Sequence, residues 1–155
     1  YVARDNRGHR PFVNYHGESW VPILGQSEGE HHKTMFASHT FHEITMYYPM
    51  RAVWDGEYKL IWNIASGLPY PFASDLWASS TWQAQLEKGD DALYGFLKVG
   101  SYVNRPAFEL YNVTENRYEN VNLADNPEYA TVLDSMKRKL KAFQQATDDP
   151  WISKW

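Results

Sequence analysis

The residues best suited to chemistry lie in one short stretch, residues 38–51, which holds His39, His42, Glu43 and Arg51. A histidine beside a carboxylate could serve as a general acid and base. Neighbouring residues on an extended segment point to opposite sides, however, so one of His42 and Glu43 would face a site and the other the core. The residues alone therefore support no complete mechanism, and we interpret the stretch as a binding surface at the edge of a sheet.

Composition restricts the classes of protein that the chain can represent. A length of 155 residues fits one domain with a single core. The net charge of -4 argues against nucleic-acid binding, which normally requires a basic face. The sequence has no cysteine and no apolar run long enough to span a membrane. Its 7 Trp, 11 Tyr and 7 Phe suit carbohydrate contact as well as core packing, because an aromatic ring can cover the apolar face of a sugar.

Three other polar features have simpler explanations than chemistry. His31 and His32 are adjacent, which makes them poor joint metal ligands, and we expect them in a solvated loop. Asp148 and Asp149 are adjacent near the end of the last helical pattern and are expected to be solvated rather than paired for acid–base chemistry. Asn112-Val113-Thr114 fits a glycosylation acceptor, a short pattern that carries little weight without a secretory context.

The beginning of the chain shows little regular pattern. Glycine and proline interrupt residues 1–33, which we predict to form an extended arm or linker. Within this arm, residues 17–24 are expected to form a short helical turn. The side chains expected to dock it are Trp20, Ile23 and Leu24. The folded domain is predicted to span residues 34–155 and to begin with a short buried strand at residues 34–38.

The clearest local structure is a β-hairpin at Asp55-Gly56. This pair tolerates the left-handed backbone of a tight turn, and it lies between two strand-like runs, residues 51–54 and 57–63. Alternation in the second run predicts one packed face and one mixed face. The packed face consists of Tyr58, Leu60 and Trp62. A further strand is predicted at residues 107–112, and Pro106 restricts it to an edge or to the start of a strand.

Two helices are predicted from residues that typically begin and end helices. Residues 79–89 begin with a capping serine, end at Gly89 and bury Trp82. The last helix opens at Asn126-Pro127-Glu128 and is expected to end near Thr147, with its basic residues on a solvated face. Together these elements predict an α+β fold, in which a long C-terminal helix packs across an antiparallel sheet of about four strands.

Several motifs resemble the sulfatase family. Residues 110–113 and 119–129, which lead into the last helix, resemble its C-terminal signature, and residues 17–24 are similar to its G-x-S-x-x-P-x-L segment. Residues 36–51 are most similar to members that cleave the N-linked sulfate of glucosamine, as is Asp149-Pro150-Trp151 after the helix. The resemblance covers nearly the whole chain.

The resemblance implies the C-terminal subdomain of an alkaline-phosphatase-like enzyme that acts on heparan sulfate or heparin. Sulfatases use a formylglycine nucleophile and a calcium ion, both in a large N-terminal catalytic domain. We therefore expect no catalytic residue and no metal ligand in this chain, and no activity of the chain alone. The expected partners are the catalytic domain and a sulfated saccharide, and a homodimer is a further possibility. The expected route is secretory, to a bacterial periplasm or a eukaryotic lysosome.

Within the resemblance, His39, His42, Glu43 and Arg51 are the candidate substrate-binding residues. A histidine could donate to a sulfamate or a sugar hydroxyl, and Arg51 could bind a sulfate or a carboxylate, or form a structural pair with a glutamate. We expect these residues on a loop, residues 38–43, that completes the pocket of the catalytic domain, and an apolar patch left open for docking. Two alternatives stay open: a sulfatase of other specificity, such as an O-sulfatase, and a non-catalytic carbohydrate-binding module.

Overall fold

A computed structural model describes residues 19–29, 31–43 and 46–155. Contacts divide the chain into two units, with the boundary between Lys33 and Thr34. In the first unit, Val21–Ile23 forms a short 3-10 helix. Trp20 and Leu24, on either side of this turn, are 69% and 70% exposed.

The second unit is built on a four-stranded antiparallel sheet with strand order β1-β2-β3-β6. Its strands are β1 (Met35–Phe41), β2 (Tyr47–Trp54), β3 (Tyr58–Asn63) and β6 (Phe108–Asn112). The other elements are α1 (Ser74–Ala78), α2 (Ser80–Leu86), the two-stranded pair β4 (Leu93–Tyr94) and β5 (Leu97–Lys98), α3 (Val99–Val103) and the long helix α4 (Ala130–Ala146). This architecture confirms the predicted α+β fold.

The predicted β2–β3 hairpin forms, with its turn shifted by one residue. Gly56 has a φ of 101°, a left-handed backbone that glycine adopts without strain. The turn is closed by Asp55, whose backbone N–H donates to the carbonyl of Tyr58 at 3.1 Å and whose side-chain oxygen accepts from the Tyr58 N–H at 3.0 Å. The central residues of the turn are thus Gly56 and Glu57, one position later than the predicted Asp55-Gly56 pair.

Helix α4 covers one face of the sheet. The Asn126 side chain accepts from the Glu128 N–H at 3.1 Å, so the predicted cap is confirmed, and it caps a 3-10 turn, Pro127–Tyr129, that leads into α4. Met136 and Leu140 project from the helix onto the sheet and are almost fully buried. The sheet residues in this core are Val53, Leu60, Trp62 and Leu110. Each such side chain contributes roughly 1.5–3 kcal/mol by leaving water, which makes this interface the main source of stability.

The other face of the sheet is covered in part by an aromatic cluster. Trp82, on α2, is fully buried, and Ser79 caps this helix by accepting from the Trp82 N–H at 3.2 Å, as predicted. Tyr48 brings the sheet into the cluster through an edge contact with Tyr70 at 5.1 Å between ring centroids. The remaining members are Phe72, Tyr94 and Tyr102. Tyr94 lies on β4 and Tyr102 on α3, whereas Tyr70 and Phe72 lie in the segment before α1. The elements α1, β4, β5 and α3 were not predicted.

The two edge strands of the sheet, β1 and β6, differ in how well they match the predictions. Strand β1 is an edge strand and is mostly exposed, with Met35 51% exposed, so the prediction of a buried strand was wrong. It also continues to Phe41, which places residues 38–41 of the predicted loop 38–43 within the strand. Strand β6 lies at the opposite edge of the sheet, directly after Pro106, as predicted.

Candidate functional site

A β-bulge shapes the end of the sheet that carries His39. His39 pairs with Met50 across β1 and β2, but Phe41 pairs with Tyr47, so β2 contains one extra residue. Pro49 lies within this irregular part and has no backbone N–H to donate to the ladder. The carbonyl of Tyr48 instead accepts a hydrogen bond from Nδ1 of His39 at 3.1 Å. The bulge therefore fixes the ring of His39.

The hydrogen bond to Tyr48 also sets the tautomer of His39. A carbonyl can only accept, so Nδ1 of His39 carries the hydrogen. In the neutral ring, Nε2 then keeps its lone pair and can accept a hydrogen bond from a ligand hydroxyl. When the ring is protonated, Nε2 becomes a donor, which would suit an anionic oxygen.

His39 and His42 line the same cavity, which has a volume of about 280 Å³. Its wall is aromatic and is supplied by Tyr70, Phe72 and Tyr102. Two imidazoles beside aromatic rings can bind the hydroxyls of a sugar and cover its apolar face. The sequence pointed to the two histidines but not to this wall, because nothing local indicates that the rings approach β1.

Glu43 does not line the cavity and instead contacts the start of α1. Its carboxylate accepts a long hydrogen bond of 3.4 Å from the hydroxyl of Ser74, at the start of α1. The side chains of His42 and Glu43 are both exposed. His42 thus faces the cavity, while Glu43 contacts α1, and the two form no acid–base pair in the structure.

Arg51 lies on the opposite face of the sheet, beside the end of α4. Its Nε and one terminal nitrogen donate to the two carboxylate oxygens of Asp149, at 2.5 and 3.0 Å. Its other terminal nitrogen donates to the carbonyls of His39 and Met50, at 3.1 and 2.8 Å. Because both ends of the guanidinium are engaged within the protein, Arg51 acts as a structural anchor, paired with an aspartate rather than a glutamate.

Asp149 is therefore paired, and the prediction that it is solvated was wrong. Burial alone raises the pKa of its carboxyl group, but the bonds from Arg51, from the N–H of Trp151 and from Gln144 outweigh burial and lower that pKa below its usual value. The pair spans the sheet and the C-terminal segment, and it also holds the backbone of His39. Asp149 thus supports the candidate cavity without lining it.

The other candidate groups form no further site. Nε2 of His31 lies 2.9 Å from the carbonyl of Ser19, and the ring of His32 packs edge to face on the ring of His31. In the described ranges, no group of three or more His, Cys, Asp or Glu could hold a metal ion. Asn112 is buried and accepts from the N–H and hydroxyl of Thr114, so its side chain is not accessible to a glycosylating enzyme. No helix in the described part of the chain is long and apolar enough to cross a membrane.

Comparisons with known proteins place the chain beside sulfatases. No family model matches the sequence. A human N-sulphoglucosamine sulphohydrolase is 32% identical over 121 residues, which cover 77% of this chain and 24% of that protein. The match lies in the C-terminal part of the human enzyme. The chain thus spans about a quarter of the length of this curated relative.

Solved structures give the same result for the fold. A protein from Bacteroides thetaiotaomicron assigned as a sulfatase aligns with a TM-score of 0.56 at 19% identity, covering 89% of this chain and 22% of its own. A 2-O GAG sulfatase aligns with a TM-score of 0.57 at 16% identity, covering 98% of this chain and 23% of its own. The predicted resemblance to the sulfatases is confirmed in sequence and in fold, and it supports a sulfatase domain.

Proposed function

Because the chain resembles the sulfatases in both sequence and fold, we propose that it is the C-terminal domain of an enzyme that hydrolyses the N-linked sulfate of glucosamine in heparan sulfate or heparin. The similarity to an N-sulphoglucosamine sulphohydrolase supports this substrate. In this proposal the domain completes a substrate pocket, and the bond-breaking groups belong to a catalytic partner domain.

The observation that carries the pocket role is the shared cavity of His39 and His42. Nε2 of His39 accepts from a sugar hydroxyl or, in the protonated ring, donates to a sulfamate oxygen. His42 is exposed beside it and supplies a second imidazole. The rings of Tyr70 and Phe72 cover the apolar face of the sugar. We no longer assign Arg51 to the substrate, since its donors are bound to Asp149 and to backbone carbonyls.

The sheet surface supports the proposed partner domain. On the face away from α4, a shallow apolar groove of about 190 Å³ runs over Ala37, Ala52 and Ile61. Met35 and Phe41, at the edge of the sheet, are mostly exposed large apolar side chains. Such a surface is typical of a domain that packs on another, in agreement with the predicted open patch.

The proposed chemistry requires a nucleophile whose precursor cysteine this sequence does not contain. A sulfatase of the expected kind needs a formylglycine made from a cysteine and a calcium ion held by acidic residues, and the sequence has no cysteine. The acidic residues of the described ranges do not gather into a group that fits calcium. We therefore assign this chain to binding and orientation of the sugar alone.

The second candidate is a sulfatase that acts on O-linked sulfate. The structural similarity to a 2-O GAG sulfatase favours this alternative, because the two folds align over 98% of this chain. Both candidates place a sugar against the same aromatic wall. They differ in which sulfate reaches the nucleophile of the partner domain.

Substitution of the two cavity histidines in the full-length protein tests the pocket role. With N-sulfoglucosamine as substrate, His39→Ala and His42→Ala should each raise KM by about tenfold, the loss of one hydrogen bond to a partly charged group. His32→Ala is the matched control, because His32 is an exposed histidine outside the cavity. A KM that stays unchanged in both cavity variants would contradict the proposal.

A further inference from the structure

A second cleft, of about 250 Å³, lies on the same side of the sheet but away from the histidine cavity. Its floor is Glu109 and Tyr111 on β6, and its walls come from α3 and from the loop that follows β6. Ser101 and Asn104 lie on the first wall and Asn120 on the second. No candidate residue of the proposed pocket lines this cleft, although its Arg105 also lines the apolar groove and stacks on Tyr70 of the histidine cavity.

The floor of the cleft is a held carboxylate. Oε2 of Glu109 accepts from the hydroxyl of Tyr111 at 2.5 Å, and Oε1 accepts from the side-chain amide of Asn63 at 2.6 Å. Glu109 is 8% exposed. A carboxylate accepts about four hydrogen bonds, so Glu109 keeps acceptor capacity toward the cleft. Its position is fixed before any ligand arrives.

Arg105 lies beside this carboxylate and has donors to spare. Its guanidinium stacks on the ring of Tyr70, 4.2 Å from the centroid, and one nitrogen is 4.0 Å from Oε1 of Glu109. Its Nε is buried and has no hydrogen-bond partner among the described residues. The terminal nitrogens of Arg105 make no hydrogen bond within the described part of the chain, so they are the donors that Arg105 can offer to a ligand.

The walls add free polar groups to this pair. Within the described part of the chain, the hydroxyl of Ser101 and the side-chain amide of Asn104 make no hydrogen bond, and both residues are exposed. Asn120 accepts from the amide of Asn116 at 2.7 Å through its oxygen, which leaves its own amide hydrogens free. The cleft therefore presents donors and acceptors that converge on one space.

An exposed aromatic pair lies close in sequence to two residues that line the cleft. Phe96, from the β4–β5 turn, packs on Tyr118 at 4.0 Å between ring centroids. The two residues are 60% and 54% exposed. Phe96 directly precedes Leu97, and Tyr118 lies two positions before Asn120, and both Leu97 and Asn120 line the cleft. Exposed stacked rings offer a flat apolar surface beside the polar floor.

We propose that this cleft binds a pyranose ring of a saccharide, through the ring hydroxyls and without a requirement for sulfate. The opposite charges of Arg105 and Glu109 compensate each other, so the floor favours a neutral polyol over an anion. Arginine and a carboxylate side by side can donate to one hydroxyl and accept from the next. The rings of Phe96 and Tyr118 cover the apolar edge of the sugar. This site is independent of the proposed enzymatic function.

Saturation-transfer NMR on the chain tests the proposal, with cellobiose, maltose, lactose and N,N′-diacetylchitobiose as neutral probes at millimolar concentration. We expect saturation transfer from the protein to at least one of these disaccharides. Asn104→Ala and Tyr118→Ala should each weaken that binding by about tenfold, the loss of one hydrogen bond or one stacking contact. Tyr47→Ala is the matched control, because Tyr47 is a similarly exposed tyrosine away from the cleft. Far-UV circular dichroism confirms that each variant is folded.

Three results would overturn the proposal: no transfer to any of the four probes, equal binding in the cleft variants and the wild type, or loss of binding in Tyr47→Ala as well. A heparin-derived tetrasaccharide provides the comparison with an anion. If the tetrasaccharide binds and the neutral probes do not, the cleft is not a neutral-sugar site. These results do not depend on sulfate release, so they separate this proposal from the proposed function.

Discussion

The Arg51–Asp149 pair is the contact whose removal should have the clearest effect on the folded domain. We choose Asp149→Asn, which keeps the shape of the side chain and removes its charge. The side chains of Arg51 and Asp149 are 8% and 11% exposed, so water compensates little for the lost partner. The variant leaves the buried guanidinium without a compensating negative charge, while its hydrogen bonds to the carbonyls of His39 and Met50 remain.

The expected cost follows from these contacts. Removing one partner of a buried ion pair costs about 3–5 kcal/mol, but asparagine keeps one oxygen that can accept from Arg51 or from the Trp151 N–H. We therefore expect a loss of about 2–3 kcal/mol in the free energy of unfolding at neutral pH. Such a loss is a large fraction of the stability of a domain this size.

The effect should also depend on pH in a definite direction. The pKa of Asp149 is lower in the folded protein than in the unfolded chain, so its contribution is fully present above the unfolded pKa, about 3.9. The contribution is lost as pH falls through the folded pKa. Because asparagine does not titrate, the difference between wild type and Asp149→Asn should be largest near neutral pH and shrink below about pH 4.

Urea denaturation followed by circular dichroism measures both effects, with an unchanged slope and a lower midpoint for the variant. The matched control is Asp148→Asn. Asp148 is exposed and has a φ of 51°, a conformation that asparagine tolerates, so this change should stay within about 0.5 kcal/mol. Equal midpoints for the two variants at neutral pH, or a difference that persists in acid, would refute this explanation of the pair.

Two further predictions concern the turn and the cleft floor. Gly56→Ala should destabilise the domain by about 1 kcal/mol, because alanine is strained at a φ of 101°. Gly67→Ala is the control and should change stability by less than half of that, since its added Cβ meets nothing within 4 Å. Urea denaturation midpoints compare the two variants, and equal destabilisation would contradict the turn geometry. Burial and the hydrogen bond to Glu109 raise the pKa of Tyr111. Tyr111→Phe should therefore leave the ultraviolet titration of the tyrosines between about pH 9 and 11 unchanged. A smaller absorbance change in the variant would show that Tyr111 ionises in this range and would contradict the prediction.

The parts of the fold that the sequence predicts are those with a local signal. The Asp55-Gly56 turn and the Asn126 cap each need only a few neighbouring residues to specify a backbone conformation. The alternation through Leu60 and Trp62 gave the correct core face, because a strand has a fixed period of two. These signals do not depend on what the distant chain does.

The parts that escaped prediction depend on long-range contacts or on very short elements. Asp149 and Arg51 are 98 positions apart, and no local pattern distinguishes a paired aspartate from a solvated one. Helices α1 and α3 have five residues each, too few to show a period. The candidate site was half predicted for the same reason: His39 and His42 lie in a motif, whereas Tyr70 and Tyr102 reach the cavity only through the fold.

Release of sulfate from N-sulfoglucosamine tests the central proposal most directly. The measurement compares the full-length protein with residues 1–155 alone, and uses a 2-O-sulfated disaccharide as the second substrate. We predict release by the full-length protein from N-sulfoglucosamine, at a higher kcat/KM than from the 2-O-sulfated disaccharide, and no release by residues 1–155. Turnover by residues 1–155 alone, or a full-length protein that releases sulfate from neither substrate, would contradict the account.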